Sequence, residues 1–252
     1  MRALPPLALA FHGVADVPLR RDPQGLFVGP EELRRHLRKL REWGYRLVNF
    51  GELAELAARD RAQGHAALTF DDGLVDNLEA LVPLLREEEA PATVFVVSGW
   101  LGKPYPWGEW TRIVTREELR ELAASGVEIG AHSTRHDDLS ALGYEQARAD
   151  LEECRQALED VVGPVETAAY PFGRASEETI RACRDAGFRA ACRISGEGSW
   201  ADLHNLPRQD MLNRSSAVGL RLKRADLYEP LMRFPPARAA RRASRLLKAL
   251  AR

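Results

Sequence analysis

The stretch AALTFDDGL (66–74) ends an apolar run on two adjacent carboxylates, Asp71 and Asp72, and a glycine. Like charges side by side repel, and a turn needs at most one of them. Either Asp72 caps a following helix from a solvated turn, or something positive sits between the pair. Three further sets of reactive residues occupy comparable places. His12 follows the apolar run LALAF, His132 and His136 lie in HSTRH after VEIGA, and PFG (171–173) follows ETAAY. Two imidazoles and a carboxylate form the mixed nitrogen and oxygen ligand set of a catalytic zinc site with an open position for water. A dication would also let both aspartates stay ionised, one as ligand and the other facing the water as general base. Singly, each set has a plain alternative: a strand-exit turn, a polar loop with two surface histidines, a tight turn, a near-core histidine.

Those residues can meet only if the elements before them are parallel strands. The chain alternates short apolar runs with helical periodicity throughout. Strands are expected at 7–11, near 45–50, and at 66–70, 92–97, 127–131, 166–170 and 188–192. Helices are expected over 29–44, within 51–64 and 74–89, and over 115–126, 143–163 and 176–187. Thr115 and Glu118 have capping-box spacing, and Ser176 is a simple N-cap. About seven strand–helix units favour an α/β barrel of parallel strands over an open sheet, and such folds gather chemistry at the carboxyl ends of their strands. All four sets then lie on one rim. One domain is expected over 1–235, followed by a tail at 236–252.

The chain has 252 residues, 45% hydrophobic and 29% charged, with 37 acids against 36 bases. That balance gives no electrostatic reason to expect nucleic acid as a partner. Cys154, Cys183 and Cys192 are odd in number and form no C-x-x-C pair, which argues against a disulfide framework. MRALPPLALAFHGV makes a poor signal peptide, because Pro5 and Pro6 interrupt a short apolar run. The expected compartment is the cytoplasm.

TFDDG, HSTRH and YPFG, in this order and at these separations, resemble the polysaccharide deacetylases of carbohydrate esterase family four, over about residues 7–210. The resemblance implies a distorted (β/α) barrel and a hydrolase that removes N- or O-acetyl groups from sugars with a divalent metal. Zinc is the usual ion, and cobalt, nickel or manganese also accept such ligands. Carried over by motif, Asp72, His132 and His136 become the metal ligands and Asp71 the base that activates water. The backbone N–H of Phe172 becomes an oxyanion donor. No Leu-x-His follows late in the chain. LALAFHGV instead resembles the permuted branch that includes deacetylases of poly-β-1,6-N-acetylglucosamine, which makes His12 the general acid. An arginine that often orients the base is replaced by Ala169, leaving Arg174 or Arg208 to substitute. Tyr170, Trp107, Arg208 and Arg174 are the candidate substrate contacts, with an acetylated amino-sugar glycan as partner. The alternatives are another small amide or imide, an O-acetyl ester, or a saccharide-binding protein with weakened turnover.

WLGKPYPWGEW (100–110) carries three of the five tryptophans. It is either a saccharide-gripping loop or a loop anchored by its own aromatics. The tail places Ala239, Ala240, Ala243, Leu246, Leu247 and Leu250 along one helical face and Arg238, Arg241, Arg242, Arg245 and Lys248 largely off it. That pattern suits a helix lying on the inner membrane face, or one packed on the barrel with its charges outward.

Overall fold

The computed structural model describes residues 4–194, 198–212 and Leu220. The tail at 236–252 and the boundary at 235 lie outside the described residues. Strand β1 (Leu7–Phe11) leads to two short paired strands, β2 (Gly13–Val14) and β3 (Phe27–Val28), and then to helix α1 (Pro30–Glu42). Pro30 opens α1, where its missing N–H has no partner to lose, and Leu33, Leu37 and Leu40 form its buried stripe. Burying each such leucine contributes roughly 1.5–3 kcal/mol. Gly44, at φ 88°, ends the helix in the left-handed conformation that glycine adopts without strain.

Next come β4 (Arg46–Val48), α2 (Phe50–Ala58) and β5 (His65–Phe70). A π-helical turn (Asn77–Leu81) runs directly into α3 (Val82–Glu87), and β6 (Thr93–Val96) follows. The aromatic stretch is an antiparallel hairpin of β7 (Pro104–Tyr105) and β8 (Gly108–Arg112). The remainder is α4 (Arg116–Ala124), β9 (Glu128–Ala131), α5 (Tyr144–Val162), β10 (Thr167–Ala169), α6 (Glu177–Asp185), β11 (Ala190–Ile194) and β12 (Leu206–Asp210). Both halves of the Thr115–Glu118 capping box are present, and Ser176 caps α6.

The main sheet closes on itself. Seven parallel strands form the ring β1-β12-β11-β10-β9-β6-β5, and β5 returns to β1 along its whole length. This is a (β/α) barrel, as the alternation predicts, with one change of membership. Strand β4 pairs only with the first half of one edge of β5, through Val48 opposite Ala67. The second half of that edge belongs to β6, through Thr69 opposite Thr93. So β4 stays outside the closed ring, and β12 supplies the seventh stave. Pro207, Arg208, Gln209 and Asp210 hid β12 from a reading based on apolar runs.

Inside the ring the residues are small. Ala8, Ala67, Ala169, Ala190, Cys192 and Leu206 pack around Phe95, and α2 closes the floor with Phe50 edge-on to Phe95 at 5.5 Å. Beside that floor a cavity of about 420 Å³ is lined by residues including Glu55, Glu128, Thr167 and Arg189. The outer faces of the strands pack under the helices in a larger apolar cluster. The three cysteines are buried and unbonded to one another. No helix among the described residues is long and apolar enough to cross a membrane.

Candidate metal and catalytic site

The carboxyl ends of the staves carry the reactive residues to one rim. Asp71 and Asp72 leave β5, His132 leaves β9, Pro171–Gly173 forms a turn after β10, and His12 leaves β1. The backbone there is strained. Asp72 (φ 77°), Ser133 (φ 65°), His136 (φ 60°) and Phe172 (φ 57°) all adopt left-handed conformations. Each costs a non-glycine residue of order 1–3 kcal/mol, and such costs collect at working sites. The left-handed turn at Asp72 lets neighbouring carboxylates point different ways.

Asp72, His132 and His136 converge, with one ligand atom from each lying within 4.8 Å of the others. Asp72 Oδ1 stands 3.4 Å from His136 Nε2 and 3.6 Å from His132 Nε2. Two ligands each about 2.1 Å from a tetrahedral ion stand about 3.4 Å apart, so this spacing suits a shared cation. The hydrogen-bond pattern argues the same way. His132 Nδ1 lies 2.8 Å from the Ala169 carbonyl, which can only accept, so the hydrogen is on Nδ1. In the neutral ring Nε2 then presents a lone pair to Asp72 Oδ1, a buried oxygen with no hydrogen-bond partner. Acceptor faces acceptor, and a cation between them resolves the conflict. Burial, reinforced by His132, pushes the His136 imidazole down to about 4, which keeps it a neutral ligand.

Each ligand has a support. Tyr105, wholly buried in the hairpin, donates its hydroxyl to Asp72 Oδ2 at 2.7 Å. Ser133 Oγ accepts from the His136 N–H at 2.8 Å. Asp150 of α5 accepts from the Thr134 N–H at 2.9 Å and pins the histidine loop to the helix. Trp100 stacks on His136 at 5.2 Å, while Trp107 and Phe172 meet it edge-on at 4.9 and 4.7 Å.

Asp71 is held by a different partner. Arg208 of β12 reaches into the barrel, its guanidinium 5.2 Å above the Phe95 ring, and grips Asp71 with two parallel bonds of 2.6 and 2.9 Å. Thr69 accepts a further bond from the same guanidinium at 2.8 Å. Burial alone would raise the Asp71 carboxyl, but Arg208, then His132 and His12, outweigh it and hold it far below the usual carboxylate range. The Phe172 N–H makes no hydrogen bond among the described residues, and its ring is 51% exposed.

Several expected roles need correction. Arg208 is fully buried against Asp71, its guanidinium bonded to both carboxylate oxygens, so it cannot touch substrate. Tyr170 is also fully buried, with its hydroxyl donated to the His204 carbonyl at 2.8 Å, so it too is no substrate contact. Arg174 pairs with Asp138 at 2.7 Å on the surface rather than with Asp71, and it lies beside the Phe172 ring. Trp107 is half-buried between Trp100 and His136, and the 100–110 segment is anchored by its own aromatics. Sequence reasoning missed Tyr105 and Asp150. Neither carries a local signal, because each matters only through the loop it meets in space.

A parallel barrel with an Asp–His–His cluster at its carboxyl rim and an arginine-held aspartate beside it defines a hydrolase type of site whose cluster could hold a metal ion. The family comparison is narrower: the polysaccharide deacetylase model matches residues 58–191, and the chain belongs to that family. YxkH of Bacillus subtilis (strain 168), which carries a provisional polysaccharide deacetylase name, is 26% identical over 65% of this chain and 57% of its own length. A chitooligosaccharide deacetylase of Sinorhizobium fredii (strain NBRC 101917 / NGR234) is 30% identical over 49% of this chain and 54% of its own. The chain thus spans about half the length of these relatives. The deacetylase PplD of Streptococcus pyogenes, solved with acetate, shares the fold at a TM-score of 0.74 and 21% identity, covering 87% of this chain and 97% of that one.

Proposed function

We propose that this chain is a metal-dependent deacetylase that removes N-acetyl groups from an amino-sugar oligo- or polysaccharide. The observation that carries the reading is the adjacency of two differently held carboxylates. Asp72 shows a bare oxygen to two imidazoles, while Asp71 is ionised, oriented and kept out of the cluster by Arg208. Family membership and the chitooligosaccharide deacetylase relative support the substrate class.

Asp72, His132 and His136 would hold the ion, most simply zinc. A divalent ion supplies Lewis-acid polarisation of the acetyl carbonyl and eases deprotonation of water. The chain's own residues do the rest. Asp71 takes a proton from the attacking water, and Arg208 keeps its carboxylate aimed and unprotonated. Negative charge growing on the acetyl oxygen meets the Phe172 N–H. His12 gives a proton to the departing amine as the carbon–nitrogen bond breaks, leaving acetate and a free amino sugar. Ala169 no longer argues for lost turnover, since Arg208 provides the missing cation.

The test is elemental analysis of purified protein together with acetate release from N-acetylglucosamine oligomers, a panel of small amides and O-acetyl esters. Asp72→Ala should strip the metal and the activity together. Asp71→Asn should retain metal and lose turnover by about 10²–10⁴-fold. Near-normal turnover in Asp71→Asn would show the base to be misassigned. Acetate release confined to the small amides or esters would replace the substrate.

A further inference from the structure

The loop that leaves β5 does more than deliver two aspartates. It also grips the segment carrying His12 at three points. The Asp71 N–H donates to the Phe11 carbonyl at 2.9 Å. Asn77 Nδ2 donates to the His12 carbonyl at 3.1 Å. Asp76 Oδ2 accepts from the Val14 N–H. The bonds fall on residues 11, 12 and 14, so they bracket His12 on both sides.

We propose that Asp76 and Asn77 are positioning residues that set the place of His12 through its backbone. The inference rests on the reading of His12 as the acid that protonates the departing amine. A catalytic histidine is usually aimed by a hydrogen bond on its second ring nitrogen. Here His12 Nδ1 is buried and has no hydrogen-bond partner. Among the described residues nothing on the ring fixes it, which leaves the backbone to do so.

The two side chains have no other evident work. Asp76 precedes the π-helical turn, yet its carboxylate caps no N–H of that turn. Asn77 is 0% exposed and Asp76 is 9% exposed; Asn77 leaves its amide oxygen unbonded and Asp76 one of its two carboxylate oxygens. Burying an amide and a carboxylate this incompletely satisfied is a poor choice for stability alone. The wider π turn has Asp76 as its N-cap and Asn77 as its first residue, the two that bond to the segment carrying His12, and such turns are rare and often found at functional sites. One loop therefore carries the base, a ligand and the fixings of the acid, so the three move as a unit.

A leaving-group comparison tests this. An N-acetyl amine needs a proton to depart, whereas an aryl acetate releases a stable phenolate without one. His12→Ala sets the pattern, with a large loss on N-acetylglucosamine oligomers and a small loss on the aryl acetate. Asn77→Asp keeps the shape but replaces the donor with an acceptor facing the His12 carbonyl. It should lower kcat on the oligomer by about 10²-fold, the usual consequence of a displacement near 1 Å. KM and bound metal should hold, and the aryl acetate should stay within about threefold. Asp76→Ala should follow the same pattern. Asp76→Asn keeps an acceptor for the Val14 N–H and should recover most of the Ala variant's loss. If Asn77→Asp does not fold, Asn77→Ala takes its place. Equal losses on both substrates, or none on either, while His12→Ala stays selective, would overturn the inference and leave the acid assignment standing. A His12→Ala variant without selectivity would bring down both.

Discussion

Strand β9 begins on one carboxylate at the floor of the barrel and ends beside another at the rim, and the two are treated in opposite ways. Glu128, at the floor, accepts bonds from the Gly51 N–H at 2.9 Å and from the Thr93 and Thr167 hydroxyls at 2.7 and 3.0 Å. Its backbone neighbours are ordinary, and its partners are complete. Asp72, at the rim, sits in a left-handed backbone, keeps one oxygen unbonded and faces two imidazoles. A buried polar group left incomplete by its own chain calls for an explanation, and at Asp72 two facing imidazoles point to a cation. A cavity of about 420 Å³ lies beside Glu128, yet the orphaned oxygen is at the rim.

Three substitutions would break or sharpen that contrast. The largest effect is expected at the rim from Arg208→Met, which strands the buried Asp71 charge. Stability should fall by about 3–5 kcal/mol and turnover by about 10²-fold or more, with metal content kept. Thermal melts and acetate release would check this; a melt and a turnover like wild type would show that the pair orients nothing. Next, Tyr105→Phe removes only the hydroxyl on Asp72 Oδ2. Metal affinity should weaken about 10–100-fold, read by competition with a chelator, while the melt moves little.

The smallest functional effect belongs to the floor. Glu128→Gln should leave turnover and metal content unchanged and alter stability by roughly 1–3 kcal/mol. Burial raises the Glu128 carboxyl above its ordinary 4.5, against the bonds from Gly51, Thr93 and Thr167. A raised carboxyl favours the fold while protonated. Its contribution is therefore full below about 4.5 and is lost as pH climbs through the raised value. Melting temperatures of wild type and Glu128→Gln should draw together, or cross, across that rise. A loss of turnover in this variant to match those at the rim would erase the distinction between the two ends.

Much of the molecule was legible in the chain because its signals are local. Apolar runs marked six of the seven staves, capping residues marked the helix starts, and ligand motifs sat directly after strands. What stayed hidden depends on distance. Strand β12 is half polar because Arg208 points into the barrel rather than at a sheet neighbour, so its pattern resembles a loop. Its partner Asp71 lies 137 residues earlier, and no spacing rule spans that. Tyr170 sits in a motif that suggests a substrate contact, but just past the end of β10 its ring is buried in the core. Tyr105 sits in a stretch read for its tryptophans, and only the hairpin aims it at Asp72.

Ring closure by the last stave has a consequence for biosynthesis. Translation delivers Asp71, all three prospective ligands and His12 well before Arg208. A nascent chain halted short of residue 206 would own every ligand yet lack both the stave that shuts the ring and the counter-charge for Asp71. Competence would then wait for residues 206–210, and a product truncated before them would lack both the closing stave and the partner of Asp71.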